Sequence, residues 1–365
     1  MKILHIITGL KTGGAEKQLF ELVTNSPNVK HVIISLTTKD YYGDLLQEKM
    51  FKIYEIKLSS WNFFNNLKLL SNIIKKENPN IVQTWMEHSN LIGGLVSYFS
   101  SFKNIIWCVR TSGEIIKDNY LIFPLIIINS ILSYFLPKKI IFNSKNVMNS
   151  NYYFFYKNDK KMFIPNGIEL SRKNRSNIKS SKSKKVKIGV VARWGREKGH
   201  KTLFKAIEKL PENIKSQVII TLAGREMDSR NIDLIKLIEK YRLKNMVTLL
   251  GFKKEIFPII AAQDFIILPS YSEGFSNVLL ESMFCGIPCI ATDVGDSKFI
   301  INKFGWIIPP HKSELLKNKI EEAISCLKDQ NNWNVLKLEC QSRVKNNFDL
   351  NITINSYAEI WAKLK

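Results

Sequence analysis

The sequence predicts an α/β protein built from two doubly wound, parallel-sheet domains. Three observations carry this. The chain has 365 residues, more than twice the roughly 150-residue norm for one domain. Apolar strand-like runs alternate with helical segments along its length, and continuous apolar strands separated by helices imply a parallel sheet covered on both faces. Near the middle, residues 171–185 (SRKNRSNIKSSKSKK) contain one Ile and no acid among Ser, Asn and Lys. Such a stretch cannot bury a core and reads as a solvated linker.

The first half gives the strands KILHIIT (2–8), HVIISL (31–36), IVQTW (81–85), NIIWCV (104–109) and KIIFNS (139–144), with a helix from about Gly14. The second gives VKIGVVA (186–192), VIITLAG (218–224), MVTLLG (246–251), FIILPS (265–270), IPCIAT (287–292) and WIIPP (306–310). In HKTLFKAIEKL, Leu203, Phe204, Ile207 and Leu210 form the apolar stripe of a sheet-covering helix. The expected domains are 1–168 and 186–349, joined by a basic linker over 169–185. Ligands in such folds bind beyond the C-terminal ends of the strands, so the expected site is a cleft between the two domains.

A composition of 45% hydrophobic and 24% charged residues is that of a globular protein. It excludes wholesale disorder, collagen and multi-span membrane classes. The five cysteines form no C-x-x-C, and the chain start runs directly into a strand; a reducing cytoplasm without a signal peptide is expected. A formal charge of +22 points to nucleic acid, an anionic membrane surface or phosphorylated small molecules. No helix-turn-helix, finger or aromatic RNA-binding signature accompanies it, and the densest basic run is the linker, so nucleic acid is not expected as a partner. From Asn119 to Pro137 nineteen residues lack a formal charge, followed by Lys138 and Lys139. Pro124, Pro137 and the polar Asn129, Ser130 and Ser133 argue against a span. A buried or interfacial helix is expected, with docking on anionic lipid as an option.

Three stretches carry chemistry. In LPSYSEGFSNVLLESMFCGIPCIATDVG (268–295) a strand leads to a loop with Glu273 and Gly274 and then to a helix from about Ser276. A Gly-containing loop opening a helix offers free N–H groups and the positive end of the helix dipole to a phosphate. Glu273 and Glu281 are eight residues apart, about 12 Å at helical rise with about an 80° offset. They could therefore hold hydroxyls at opposite ends of a diphosphate, sugar at Glu273 and ribose at Glu281. Taken alone, Glu281 would read as a solvated helix residue. In VVARWGREKGHKTLF (190–204) a strand delivers Arg193 to its tip, with Lys198 and Gly199 just before the next helix; cations there neutralise a departing diphosphate without metal. GLKTGGAEKQLFELV places Gly13 and Gly14 between first strand and first helix, where a ligand approaches the backbone closely. Neither Gly-rich stretch has the spacing of a nucleotide-triphosphate loop or a dinucleotide fingerprint.

Together these motifs resemble the retaining glycosyltransferases of family 4, the GT-B "group 1" enzymes of bacterial polysaccharide and lipid-linked sugar assembly. GGAE (13–16), IPNGIE (164–169), AR…EKG (192–199), LAG (222–224), LGF (250–252) and PSYSEGFSNVLLE (269–281) occur in the family's order, across essentially the whole chain. The resemblance implies two Rossmann-like domains facing across a cleft, acceptor-binding at the N-terminus and nucleotide-sugar-binding at the C-terminus, with the final helix (350–365) crossing back to the first. It implies that Arg193 and Lys198 bind the donor diphosphate, aided by the backbone of Phe275, Ser276, Asn277 and Val278. Glu273 would contact the sugar and Glu281 the ribose, while residues near Gly224 and Phe252 flank the base. On the acceptor side, TWMEHSNLIGGL sets His88 at a strand-to-helix turn, a candidate for the cleft or a capping residue. Where the family often has a His after the fifth strand, this chain has Arg110, the substitute candidate. No D-x-D and no His/Cys cluster occurs, so no metal cofactor is expected.

The expected activity is sugar transfer from a nucleotide diphosphate, UDP-hexose or UDP-N-acetylhexosamine ahead of a GDP-sugar. The acceptor is a hydroxyl on a lipid-linked or polysaccharide glycan (O-antigen, capsule or lipopolysaccharide), and the place is the cytoplasmic face of the bacterial membrane, as a peripheral protein. The alternatives are a nucleotide-sugar epimerase of the same fold and a basic nucleic-acid-binding protein.

Overall fold

The computed structural model describes residues 1–59, 61–110, 122–153, 155–170 and 185–365. The linker over 171–184, the start of the apolar segment at 119–121, and Thr111 and Ser112 lie outside them. The chain divides into two compact units, Met1–Gly167 with Leu350–Lys365, and Ile168–Asp349.

The first unit contains β1 (Lys2–Ile7), β2 (Lys30–Ser35), β3 (Lys52–Glu55), β4 (Ile81–Trp85), β5 (Ile105–Val109), β6 (Lys139–Phe142) and β7 (Lys161–Phe163). They form one sheet in the order β3-β2-β1-β4-β5-β6-β7, every pair parallel. The second unit contains β8 (Val186–Val191), β9 (Val218–Ala223), β10 (Val247–Gly251), β11 (Phe265–Leu268), β12 (Cys289–Thr292) and β13 (Gly305–Ile308), ordered β10-β9-β8-β11-β12-β13 and again all parallel. Each is the doubly wound topology, with the winding reversed beside its first strand: β1 next to β4, and β8 next to β11.

Burial on both faces explains why the central strands are legible. All five residues of β4 are buried, including Gln83 and Thr84, and so are the apolar residues of β5. The predicted stripe Leu203, Phe204, Ile207 and Leu210 is buried, although the helix itself is His200–Glu208. β3 and β7 have no counterpart in the sequence reading. Both are short edge strands, KIYE and KMF, with no fully buried residue. An edge strand carries charge to deter pairing with other chains, which removes the apolar run.

The helix Leu350–Leu364 belongs to the first unit. It buries Tyr357, Ile360 and Trp361 in that core, and the Trp361 indole donates to Gln83 Oε1 at 2.8 Å. No helix among the described residues is long and apolar enough to cross a membrane. The apolar segment instead holds an 11-residue helix, Ile122–Leu132.

Candidate functional site

Loops leaving adjacent strands in opposite directions open a crevice at the point where the winding reverses. In the second unit those strands are β8, which runs into residues 192–199, and β11, which runs into residues 269–276. The topology therefore sets the Arg193–Lys198 motif beside the Glu273 motif. Two features hold the loops together. The Tyr271 N–H donates to the Glu197 carbonyl at 2.7 Å, and Gly199, at φ +68°, presses on the Pro269 carbonyl, where any Cβ would overlap it. Only glycine satisfies both the left-handed backbone and the contact.

The consequence is a direct pair: Lys198 Nζ lies 2.8 Å from Glu273 Oε1, and Ser270 Oγ donates to the same oxygen at 2.7 Å. Arg193 is exposed and pairs with Glu197 Oε1 at 2.7 Å. Behind it, His200 stacks on Trp194 with centroids 5.2 Å apart, and its Nε2 meets the Arg193 carbonyl at 3.3 Å. A carbonyl can only accept, so His200 carries its proton on Nε2 and leaves Nδ1 buried without a partner. Burial lowers its pKa to about 4. From the other side, Gly295 at φ +53° lies against the carbonyls of Glu273 and Gly274, and the Asp296 N–H donates to Gly274 O at 3.0 Å.

The helix Asn277–Phe284 opens on Ser276, whose side chain makes no capping bond, so its first N–H groups are not occupied by that hydroxyl. Phe275 is buried against Phe348, with centroids 5.9 Å apart; only its backbone is on offer to a ligand. Glu281 is buried rather than solvated. The 12 Å spacing needs correction: Glu273 lies in the loop before the helix, so helical rise applies only from Asn277 onward, about 6 Å to Glu281. Gly224, at φ +146°, has its missing Cβ where the Ala192 carbonyl sits; the approach of the β8 and β9 tips accounts for this glycine. Phe252 follows β10 and is about half exposed. Glu197, Ser270, His200 and Gly295 escaped the sequence reading. Glu197, four residues after Arg193, was the one with a visible signal, an opposite charge at short spacing.

In the first unit the reversal lies between β1 and β4. Gly13 and Gly14 are exposed where the helix Gly14–Thr24 begins. Gly13 is extended, at φ −164°, and the nearest atoms to a Cβ there are those of the Glu16 side chain. His88 is exposed in the first turn of the helix Glu87–Phe99. Its neighbour Glu87 is buried and accepts the Tyr153 hydroxyl at 2.8 Å, and Thr8 and Ser89 hydroxyls join at 3.1 Å. Arg110, one residue beyond β5, is held from three sides: it donates to Asn166 Oδ1 at 2.7 Å and to the Tyr357 hydroxyl, and lies 4.8 Å from the Trp85 ring centroid. Its Nε is buried without a hydrogen bond.

Residues 171–335 match the family described as glycosyl transferases group 1. The second unit carries a group 1 glycosyl transferase domain. Arg193, Lys198, Gly224, Phe252, Glu273, Phe275, Ser276, Asn277, Val278 and Glu281 all fall inside the matched span. Among curated relatives of this chain, the N-acetylgalactosamine-N,N'-diacetylbacillosaminyl-diphospho-undecaprenol 4-alpha-N-acetylgalactosaminyltransferase of Campylobacter jejuni is 29% identical over 189 residues, 51% of this chain and 49% of that protein. The lipopolysaccharide glucosyltransferase WaaG of Escherichia coli is 26% identical over 165 residues, 44% of this chain and 42% of that protein. The chain thus spans about half, or less, of the length of these relatives. Among solved structures, Anabaena HepE in complex with UDP aligns over 100% of both chains with a TM-score of 0.84 at 19% identity. WaaG aligns over 98% of this chain and 99% of its own with a TM-score of 0.76 at 15% identity. The fold around the group 1 domain is therefore GT-B.

Proposed function

We propose that the chain is a retaining, metal-independent glycosyltransferase of family 4, transferring a sugar from a UDP-hexose or UDP-N-acetylhexosamine to a hydroxyl of a lipid-linked or polysaccharide acceptor. The setting is bacterial cell-surface glycan assembly (O-antigen, capsule or lipopolysaccharide), at the cytoplasmic face of the membrane as a peripheral protein. The observation that carries the reading is the Lys198–Glu273 pair at the crevice between the β8 and β11 tips, within the group 1 domain. Support for the donor comes from HepE, whose structure holds UDP. Support for a lipid-linked acceptor comes from the named activity of the Campylobacter relative.

In this mechanism Arg193 and Lys198 hold the donor diphosphate and answer the negative charge that grows on it as the bond to the sugar C1 breaks. Glu273 turns to a sugar hydroxyl and Glu281 to the ribose, while the backbone from Phe275 to Val278 faces the phosphates and Gly224 and Phe252 flank the base. The acceptor oxygen bonds to C1 on the face the phosphate leaves, and its proton passes to an oxygen of the departing diphosphate. On the acceptor side, Gly13, Gly14, His88 and Arg110 take positioning roles.

A thermal-shift panel of nucleotide sugars, with and without Mg²⁺, tests this. UDP compounds should stabilise the chain equally in both conditions, and Lys198→Ala or Glu281→Ala should abolish the response. A chain indifferent to every nucleotide, or variants that respond like the parent, would overturn the reading.

A further inference from the structure

The helix Ile122–Leu132 (IFPLIIINSIL) is built the wrong way round for a wet surface. It has no charged residue, yet Phe123, Ile127, Ile128 and Ile131 are 46, 45, 45 and 60% exposed, and Tyr134 and Phe135 just beyond it are 51 and 71% exposed. Its polar side chains face inward. Asn129 Nδ2 donates to the Glu87 carbonyl at 3.0 Å, and Ser130 and, past the helix end, Ser133 are buried. An apolar helix face belongs in a core or in lipid, and the outward half of this one is in neither. Its eleven residues rise about 16 Å, half of a roughly 30 Å hydrocarbon layer, so it can lie in an interface but cannot span one.

Cations gather at its C-terminal end. Lys157 Nζ sits 5.3 Å from the Tyr134 ring centroid, Lys160 Nζ donates to the Ser133 and Tyr134 carbonyls at 2.9 and 2.8 Å, and the exposed Lys138 follows the apolar run. Burial lowers the Lys160 pKa, the Asp159 charge opposes it, and the charges of Lys138 and Lys157 lower it further; Lys157 Nζ also lies 3.7 Å from Asp159 Oδ1. Beside them is a hollow of about 570 Å³ lined by Tyr134, Phe155, Tyr156, Lys157, Asn158 and Asp159.

We propose that this face docks the first unit on an anionic lipid bilayer, with Phe123, Ile127, Ile131 and Phe135 entering the acyl boundary and Lys138, Lys157 and Lys160 at the headgroup phosphates. The inference rests on the reading of a membrane-borne acceptor and names the surface that would reach it. The lysines favour lipid over a second copy of this chain: an isologous contact would bring two equally cationic patches into one interface.

Co-sedimentation of the full chain with vesicles tests the proposal. The chain should pellet with vesicles of equal parts phosphatidylcholine and phosphatidylglycerol, remain in solution with phosphatidylcholine alone, and detach as salt is raised. Ile127→Glu with Ile131→Glu should abolish binding. Lys138→Gln and Lys157→Gln should each weaken it roughly fivefold, the equivalent of about 1 kcal/mol per lysine. All four positions are at least partly exposed, and the UDP thermal shift of each variant checks that the chain is still folded. Binding that survives the double Ile variant, or equal binding to neutral vesicles, would overturn the proposal; so would a dimer that the Ile variant dissolves without any vesicle binding. A chain that answers UDP but ignores vesicles would keep the transfer reading and lose the docking face, and one that binds vesicles but no nucleotide would do the reverse.

Discussion

Lys198 faces a choice of anions. Its ammonium is answered by Glu273 at 2.8 Å, and under the proposed function a diphosphate arriving at the same crevice would compete with that carboxylate. Both partners are mostly shielded, at 18 and 12% side-chain exposure, so the competition is not screened away as it would be for a surface pair. Two opposite outcomes follow. Under the proposed mechanism Lys198→Ala removes the cation that answers the leaving group, and should lower turnover on the order of 100-fold, about 3 kcal/mol of transition-state stabilisation. Glu273→Gln removes the competing charge, so affinity for UDP alone should rise roughly fivefold while sugar transfer falls. Titration calorimetry with UDP beside a turnover assay reads both; a Glu273→Gln chain that weakens UDP and transfer together would show the carboxylate supporting the phosphate site instead. Arg193, Lys198 and Glu273 are legible as candidates because their residue types at those spacings would suit diphosphate chemistry. His200 is not, because its place depends on a stack and a carbonyl that only the folded loop supplies.

At the scale of elements, the site depends on how closely two loops pass. Gly199 stands at φ +68° with the Pro269 carbonyl where its Cβ would be, and it is what lets residues 192–199 lie against residues 269–276. Gly199→Ala should destabilise the second unit by roughly 1–3 kcal/mol through backbone strain alone, with further loss from the overlap. It should also weaken the UDP response by displacing Lys198 from the crevice between the β8 and β11 tips. Thermal melts with and without UDP separate the two effects, and an unchanged melt would mean that the loops do not need this contact. Sequence pattern reaches such elements unevenly. Strands buried on both faces, such as β4 and β8, announce themselves as apolar runs. β3 and β7 do not, since edge positions tolerate Lys and Glu. The start of the helix after Glu273 is legible to within a residue, Ser276 against Asn277, but helical rise does not carry across the loop before it, so the Glu273–Glu281 distance cannot be read from spacing.

Over the whole molecule, the two-domain organisation was legible because each half repeats strand and helix at domain length, whereas the polar contacts inside each core were not. The buried imidazoles of the first unit are the main case. Trp85 Nε1 donates to His5 Nδ1 at 3.2 Å, so His5 holds its proton on Nε2 and passes that hydrogen bond to His31 Nδ1 at 2.9 Å, which puts the His31 proton on Nε2. Both rings are thereby neutral. Burial, and then His31, drives the His5 pKa well below 6.5; burial takes His31 to about 4, as it does His200 in the second unit. A histidine whose folded pKa is depressed leaves the unfolded chain binding more protons. Its stabilisation is then complete above about pH 6.5 and is lost as pH falls toward 4, at about 1.4 kcal/mol per pH unit for each ring. That amounts to roughly 3 kcal/mol each for His31 and His200 across the window. Glu77 extends the trend: burial would raise its pKa, but Lys52, Tyr54 and Lys2 bring it to about 2, so its contribution is lost only between about pH 4.5 and 2. Melting temperature should therefore be level from about pH 8 to 7 and fall steadily below about 6.5. His31→Asn should lower the plateau and flatten the decline of the first unit, while leaving the second unit's decline, set by His200, unchanged. Melts that stay level down to about pH 4.5 would show that these rings are not held neutral.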